Sequence, residues 1–179
     1  MRIIVRNFVD GKPAAREITF GYTTFWFASE HLIGYKYLGT MAKHNPGTGY
    51  AGQVMNYIPR ASSITGLSDT LQKFSPVYLS QIYPQHPKIV MYAGRSANAF
   101  MINMGSAKIY FSYNKLIGFE AFDKFYYSNE SDNHTMAKHM LSMLADRTDA
   151  VCVSQTELLT HFDRYFKQFE QVITCVPGT

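Results

Sequence analysis

Hydrophobic and polar positions alternate with a period of two along much of this chain. Over residues 3–8, Ile3 and Val5 fall on one side while Ile4, Arg6 and Phe8 fall on the other. Asp10-Gly11 makes a turn and Arg16 to Phe20 returns, which predicts an N-terminal hairpin. Five later runs, 88–93, 99–104, 107–113, 116–121 and 125–128, read as strands. The segments between them (Gly94 to Ser96, Gly105-Ser106, Asn114-Lys115 and Asp123-Lys124) are short enough for hairpins, so the pattern predicts an antiparallel meander.

Helical spacing predicts the remaining elements. Phe25, Ala28, Leu32, Tyr35 and Leu38 recur at roughly three and four residues, which favours a helix from Thr24 to His44. Gly34 and Gly39 weaken it by about 1 kcal/mol each relative to Ala, and Asn45-Pro46-Gly47 ends it. Residues 48–87 are irregular, with a turn of helix or a strand at 54–58, a short helix at 67–74 and an apolar segment at 77–83. Residues 133–146 place Ala137, Met140, Leu141 and Leu144 on one helical face, with Asp132 or Asn133 as cap. Ser154 to Glu157 is a capping box ahead of a stripe of Leu158, Phe162, Tyr165, Phe166 and Phe169, and 171–176 reads as a final strand. The expectation is a single domain over 1–179 of α+β class, an antiparallel sheet of about five or six strands with helices packed on one face.

Two words repeat. Thr40 to His44 recurs letter for letter as Thr135 to His139, and Leu32-Ile-Gly34 recurs as Leu116-Ile-Gly118. The first word is 8 residues from the second in one copy and 19 in the other, and its contexts conflict. Coincidence is therefore favoured over duplication.

Composition sharpens the picture only in places. With 179 residues, 46% hydrophobic and 17% charged, the chain can bury a real core and is no disordered tail. The net charge of +4 is unevenly spread: residues 1–115 hold twelve basic and four acidic residues, a balance of +8, and residues 116–179 hold five and nine, a balance of −4. Such a split suits either a dipolar fold or a surface that seeks a polyanion. Cys152 and Cys175 sit in apolar, strand-like settings and read as buried small hydrophobes in a reducing compartment, with a disulfide between them as the alternative. No apolar run approaches a membrane span, and the expected location is the cytoplasm.

Motifs for chemistry are sparse. Gly47-x-Gly49-x-x-Gly52 has the dinucleotide glycine spacing, with Asp69 beyond it, but no strand pattern precedes it and Pro59 limits any helix, so a loop is favoured. The six histidines lack metal spacing; His134 and His139 are five apart. No GxSxG appears, no carboxylate pair stands out, and Asp132 near the two histidines reads as a cap above a wet helix face. No cofactor, metal or catalytic residue is assigned. Aromatic side chains interleaved with cations can stack bases and hold phosphate. Lys108, Tyr110, Tyr113 and Lys115 on the meander, Lys138 and His139 on the following helix, and Lys43 and Arg60 upstream are the candidate binding residues.

One stretch, Phe111-Ser-Tyr-Asn-Lys-Leu-Ile-Gly-Phe119 with Tyr127-Ser128 and Thr135 to Met140, resembles a short module of uncharacterised phage and mobile-element proteins. The module spans 107–145 here. It departs from the usual pattern at Gly118 and Met136 and in the longer insert 129–133. The resemblance implies a small accessory protein of a virus-like element and carries no catalytic residues across. Together these features favour a non-enzymatic protein that binds nucleic acid or a host nucleoprotein complex, with inhibition of host defence as its purpose. The alternatives are a small enzyme with a histidine site between loop 45–66 and helix 133–146, and a self-associating structural phage protein.

Overall fold

The structure, a computed structural model, describes residues 1–37, 40–43, 47–58, 87–94 and 96–174. The expected helix at 67–74, the segment 77–83 and Asp69 lie outside them. The α+β class holds, but the expected five or six strands become eleven, with three helices, among the described residues. They belong to two compact units that divide between Lys88 and Ile89.

The first unit runs β1 (Ile3–Asn7), β2 (Ala15–Phe20), β3 (Thr23–Ala28), β4 (His31–Tyr37) and β5 (Thr40–Lys43), each antiparallel to its predecessor, then α1 (Gly49–Met55). The hairpin of β1 and β2 is as expected. The helix expected over 24–44 is instead β3, β4 and β5. Phe25, Trp26, Phe27 and Ala28 are all buried, so β3 lacks the in–out alternation that marks a half-exposed strand. Spacing alone then mimics a helix, while the real turn forms at Ser29, which takes φ 55°. Ala51, Val54 and Ile58 of α1 and its C-terminal turn pack on Val9, Ala15, Trp26, Ala28 and Ile33. Thr48 caps α1 by accepting from the Ala51 N–H.

The second unit runs β6 (Lys88–Met91), β7 (Ala99–Asn103), β8 (Ala107–Ser112), β9 (Lys115–Ala121), β10 (Lys124–Ser128), α2 (His134–Leu144), β11 (Ala150–Val153) and α3 (Gln155–Thr174). β7 to β10 form the expected antiparallel meander. β11 was not expected as a sheet member; it pairs parallel to β10 after the α2 crossover. The strand expected at 171–176 is helical through Thr174.

The two helices do not share a face of this sheet. A Cβ on Gly118 would meet Met143 Sδ of α2 at 2.5 Å, whereas the ring of the adjacent Phe119 packs on Phe162 and Tyr165 of α3 at 5.5 and 5.2 Å. Successive strand residues point to opposite faces, so the unit is a sheet sandwiched between α2 and α3. The face of α2 also differs from expectation: Met136, His139, Met140 and Met143 are buried, and Leu141 is 70% exposed. Cys152, expected inside, is exposed.

The two units repeat one module. β3 and β8 cover 23–28 and 107–112, β4 and β9 cover 31–37 and 115–121, an offset of 84 in both cases (107 − 23 and 115 − 31). Turn hydrogen bonds keep the same offset. Phe8 N–H to Ala15 O becomes Tyr92 N–H to Ala99 O, Ala15 N–H to Lys12 O becomes Ala99 N–H to Ser96 O, and Ser29 N–H to Ala14 O becomes Tyr113 N–H to Asn98 O. Positive φ recurs at Ser29 and Tyr113 and at Gly21 and Gly105. Even the β-bulge recurs: Trp26/Phe27 face Gly34/Leu32, and Tyr110/Phe111 face Gly118/Leu116, with Ile33 or Ile117 as the extra residue. Counted from their caps, Thr48 and Asn133, the helices also correspond, Ala51 with Met136, Val54 with His139 and Ile58 with Met143.

Duplication, disfavoured at first, is thus the architecture, and Leu-Ile-Gly is its in-register trace. The longer word is the coincidence, because its first copy is strand β5 and its second is the start of α2. α3 and β11 have no counterpart among the described residues of the first unit.

Candidate nucleic-acid interface

Among the described residues, those expected to bind a polyanion do not make one cationic face. Lys108 and Tyr110 project from the α2 side of β8 into a polar groove of about 470 Å³, lined also by Tyr92, Glu120, Asp146, Arg147 and Asp149. There Lys108 Nζ donates to Glu120 Oε1 at 3.0 Å, and Arg147 bonds Glu120 Oε2 and donates to the Tyr110 hydroxyl at 2.9 Å. The Arg147 guanidinium lies over the Phe125 ring at 3.9 Å. Burial opposes ionisation of Glu120, but hydrogen bonds from Lys108 and Arg147 outweigh it and hold the carboxyl below its ordinary range. Burial, with help from Glu120, raises the Tyr110 hydroxyl. Both cations of this groove are therefore spent on one carboxylate, and Asp146 and Asp149 tip its formal balance to −1. A polyanion is poorly served here.

Lys115 is likewise committed, 2.8 Å from Asp132 Oδ1 and 3.1 Å from the Glu130 carbonyl. Tyr113 is 41% exposed and lies beside His139, with ring centroids 5.9 Å apart. His139 is buried rather than on a wet face, bonded to Ser112 and Ser96. Lys138 is exposed. Lys43 ends β5, and its side chain and Arg60 lie outside the described residues. The enzyme site imagined between loop 45–66 and helix 133–146 falls partly outside them too. Among the described residues no group of three or more His, Cys, Asp or Glu side chains can hold a metal ion.

A different constellation, missed in the sequence, occupies the α3 side of the second unit. Lys124 and Tyr126 of β10, Phe122 of the β9–β10 turn, and His161, Arg164 and Tyr165 of α3 surround a pocket of about 190 Å³. The strand period of two puts Lys124 and Tyr126 on one face, and the helical spacing of 161, 164 and 165 puts those side chains above them. Tyr126 and His161 stack with centroids 4.0 Å apart at 10°. Phe122 is 69% exposed and meets Tyr165 edge-on at 5.9 Å. The Tyr165 hydroxyl is fixed 2.8 Å from Ser106 Oγ.

No carboxylate lines this pocket, and neither Lys124 nor Arg164 has an ion-pair partner among the described residues. Glu157, one turn before His161, is tied up in the helix cap: its carboxylate accepts from the Ser154 N–H and hydroxyl, both at 2.9 Å, which hold it below its ordinary range. The arrangement offers two free cations, an imidazole and flat aromatic walls. The signal in the sequence was there as His161 and Arg164 on α3, but nothing linear connects them to Lys124. Among the described residues no helix is long and apolar enough to cross a membrane. Compared with known proteins, the chain matches no family, no curated protein and no solved structure.

Proposed function

We propose that the protein binds single-stranded nucleic acid at the basic, aromatic pocket on the α3 side of its second unit. The observation that carries this reading is a pocket with two unpaired cations, four aromatic rings and no carboxylate in its lining. Phosphate is drawn by Lys124 and Arg164, and a base finds π-faces in Phe122 and the Tyr126–His161 stack. A volume of about 190 Å³ suits one nucleotide unit rather than a duplex. The expected partner is kept, while its seat moves from Lys108 and Lys115, whose charges are already paired, to Lys124 and Arg164.

Binding of a labelled single-stranded oligonucleotide, followed by anisotropy at two salt concentrations, tests it. Affinity is expected to fall with salt, and Lys124→Ala or Arg164→Ala to weaken binding and flatten the logarithmic salt slope by roughly 0.7–1 each. Lys108→Ala is expected to leave the slope unchanged. Salt-insensitive binding, or none to either DNA or RNA, would sink the proposal.

A further inference from the structure

The duplicated module contains its own control, since each polar residue in one unit can be compared with what the same position carries in the other. The strongest contrast lies at the buried contact between the sheet and the first helix. In the first unit it is Ala28 against Val54, both fully buried in an apolar cluster. In the second unit the same two positions are Ser112, fully buried, and His139, 4% exposed, with Ser112 Oγ 2.8 Å from His139 Nδ1. The fold is made without this polar pair, so its presence in one copy calls for a reason other than packing.

The other ring nitrogen points to one. His139 Nε2 is 3.3 Å from Ser96 Oγ. Ser96 sits in the β6–β7 turn at the position of Lys12, part-exposed, and its backbone is pinned by bonds to Ala93 O and from Ala99 N–H. Lys12 also reaches its own unit's helix, donating to Gln53 at 3.1 Å. Where the first unit carries a lysine, the second thus carries a hydroxyl at the surface end of a buried imidazole. Ser96, Ser112 and Tyr113 face the ring from the sheet side, and no carboxylate bonds it among the described residues.

We propose that Ser96 is an activated nucleophile, His139 its general base and Ser112 a positioning residue, and that the substrate class is a carboxylic ester. His139 Nδ1–H donates its hydrogen bond to Ser112 Oγ, which leaves Nε2 as the acceptor for the Ser96 hydroxyl proton. As that proton moves to Nε2, Ser96 Oγ bonds to the ester carbonyl carbon. The alcohol leaves with the proton returned by His139, and a water molecule then releases the acid by the same relay. Burial lowers the His139 pKa, in keeping with a base that is neutral near pH 7.

The test treats the full chain with a fluorophosphonate probe, which phosphonylates an activated serine with loss of fluoride, and maps the adduct by peptide mass spectrometry. Labelling is expected at Ser96 and is expected to vanish in Ser96→Ala. It is expected to slow at least tenfold in the double variant Ser112→Ala/His139→Val, which installs the pair that the first unit already folds around. His139→Gln, which keeps a polar side chain, is the second variant should the first melt early, with the same tenfold loss expected. The wild-type rate is expected to plateau near neutral pH, with its midpoint below about 6.5, and Ser112→Ala is expected to move that midpoint. No adduct at Ser96, an adduct whose rate ignores both His139 variants, or labelling that appears only in strong alkali would each overturn the proposal.

Discussion

Phe122 holds an unfavourable backbone conformation at the rim of the proposed interface. Its φ of 54°, followed by 57° at Asp123, places a bulky side chain in the left-handed region, at a cost of about 1–2 kcal/mol. Phe122→Asn is expected to raise stability by about 1 kcal/mol in urea titrations while weakening oligonucleotide binding, an opposition that a purely structural turn residue would not produce. His139 makes a second residue-scale prediction. Its pKa is lowered on folding, so the native state binds fewer protons than the unfolded chain near that pKa. Stability is therefore expected to be full above the unfolded value of about 6.5 and to fall as pH drops through it, and Ser112→Ala/His139→Val to remove that slope in melting curves between pH 5 and 7. His139 was read as exposed because α2 carries two competing apolar stripes. The expected face of Ala137, Met140, Leu141 and Leu144 looks as good by count as one of Met136, Met140 and Met143, and contact with Tyr110, Ile117 and Phe125 selects the second, with Leu144 partly buried at its edge.

Among elements, those with local signals were legible. Asn133 caps α2 by accepting from the Met136 N–H at 2.9 Å, and the box of Ser154 and Glu157 opens α3 as expected. Asn133→Ala is expected to cost about 1 kcal/mol by urea or thermal unfolding. The strands β3 and β4 were illegible for an opposite reason: strands buried on both faces lose alternation, and helical spacing fills the gap by chance. The parallel strand β11 could not be read because its partner β10 is settled by tertiary contact and not by a turn. The pocket of Lys124, His161 and Arg164 was hidden in the same way, its two elements being separated by α2 and β11.

At the scale of the whole molecule, the repeat left only a faint imprint on the sequence. Across 1–44 and 85–128 seven positions agree, Ala15, Ile18, Gly21, Phe27, Leu32, Ile33 and Gly34 with Ala99, Ile102, Gly105, Phe111, Leu116, Ile117 and Gly118. What persists beyond these is burial: Phe20 and Met104, Phe25 and Ile109, and Tyr35 and Phe119 differ yet are buried alike, and the identical Ile33 and Ile117 are both fully buried. Ile33→Val and Ile117→Val are accordingly expected to destabilise alike, by about 0.5–1.5 kcal/mol each. A large asymmetry in denaturant titrations would count against equivalent packing. In the second unit the charge split resolves into local pairs, Lys108 and Arg147 with Glu120 and Lys115 with Asp132, and leaves Lys124 and Arg164 without an ion-pair partner among the described residues.

The bulge shared by both meanders makes one codon in each a surplus of curvature, not of pairing. Ile33 and Ile117 are each the odd residue of a strand pairing, so deleting either would not shorten a loop. It would close the ladder, Leu32 still facing Phe27 and Gly34 still facing Trp26, or Leu116 facing Phe111 and Gly118 facing Tyr110, so no buried row would turn over; what would go is a fully buried isoleucine and the local bend that the extra residue puts into the strand. Two halves that agree at few positions nonetheless keep this surplus residue in the same place, so strand length is preserved there for the curvature it gives and not for the pairing.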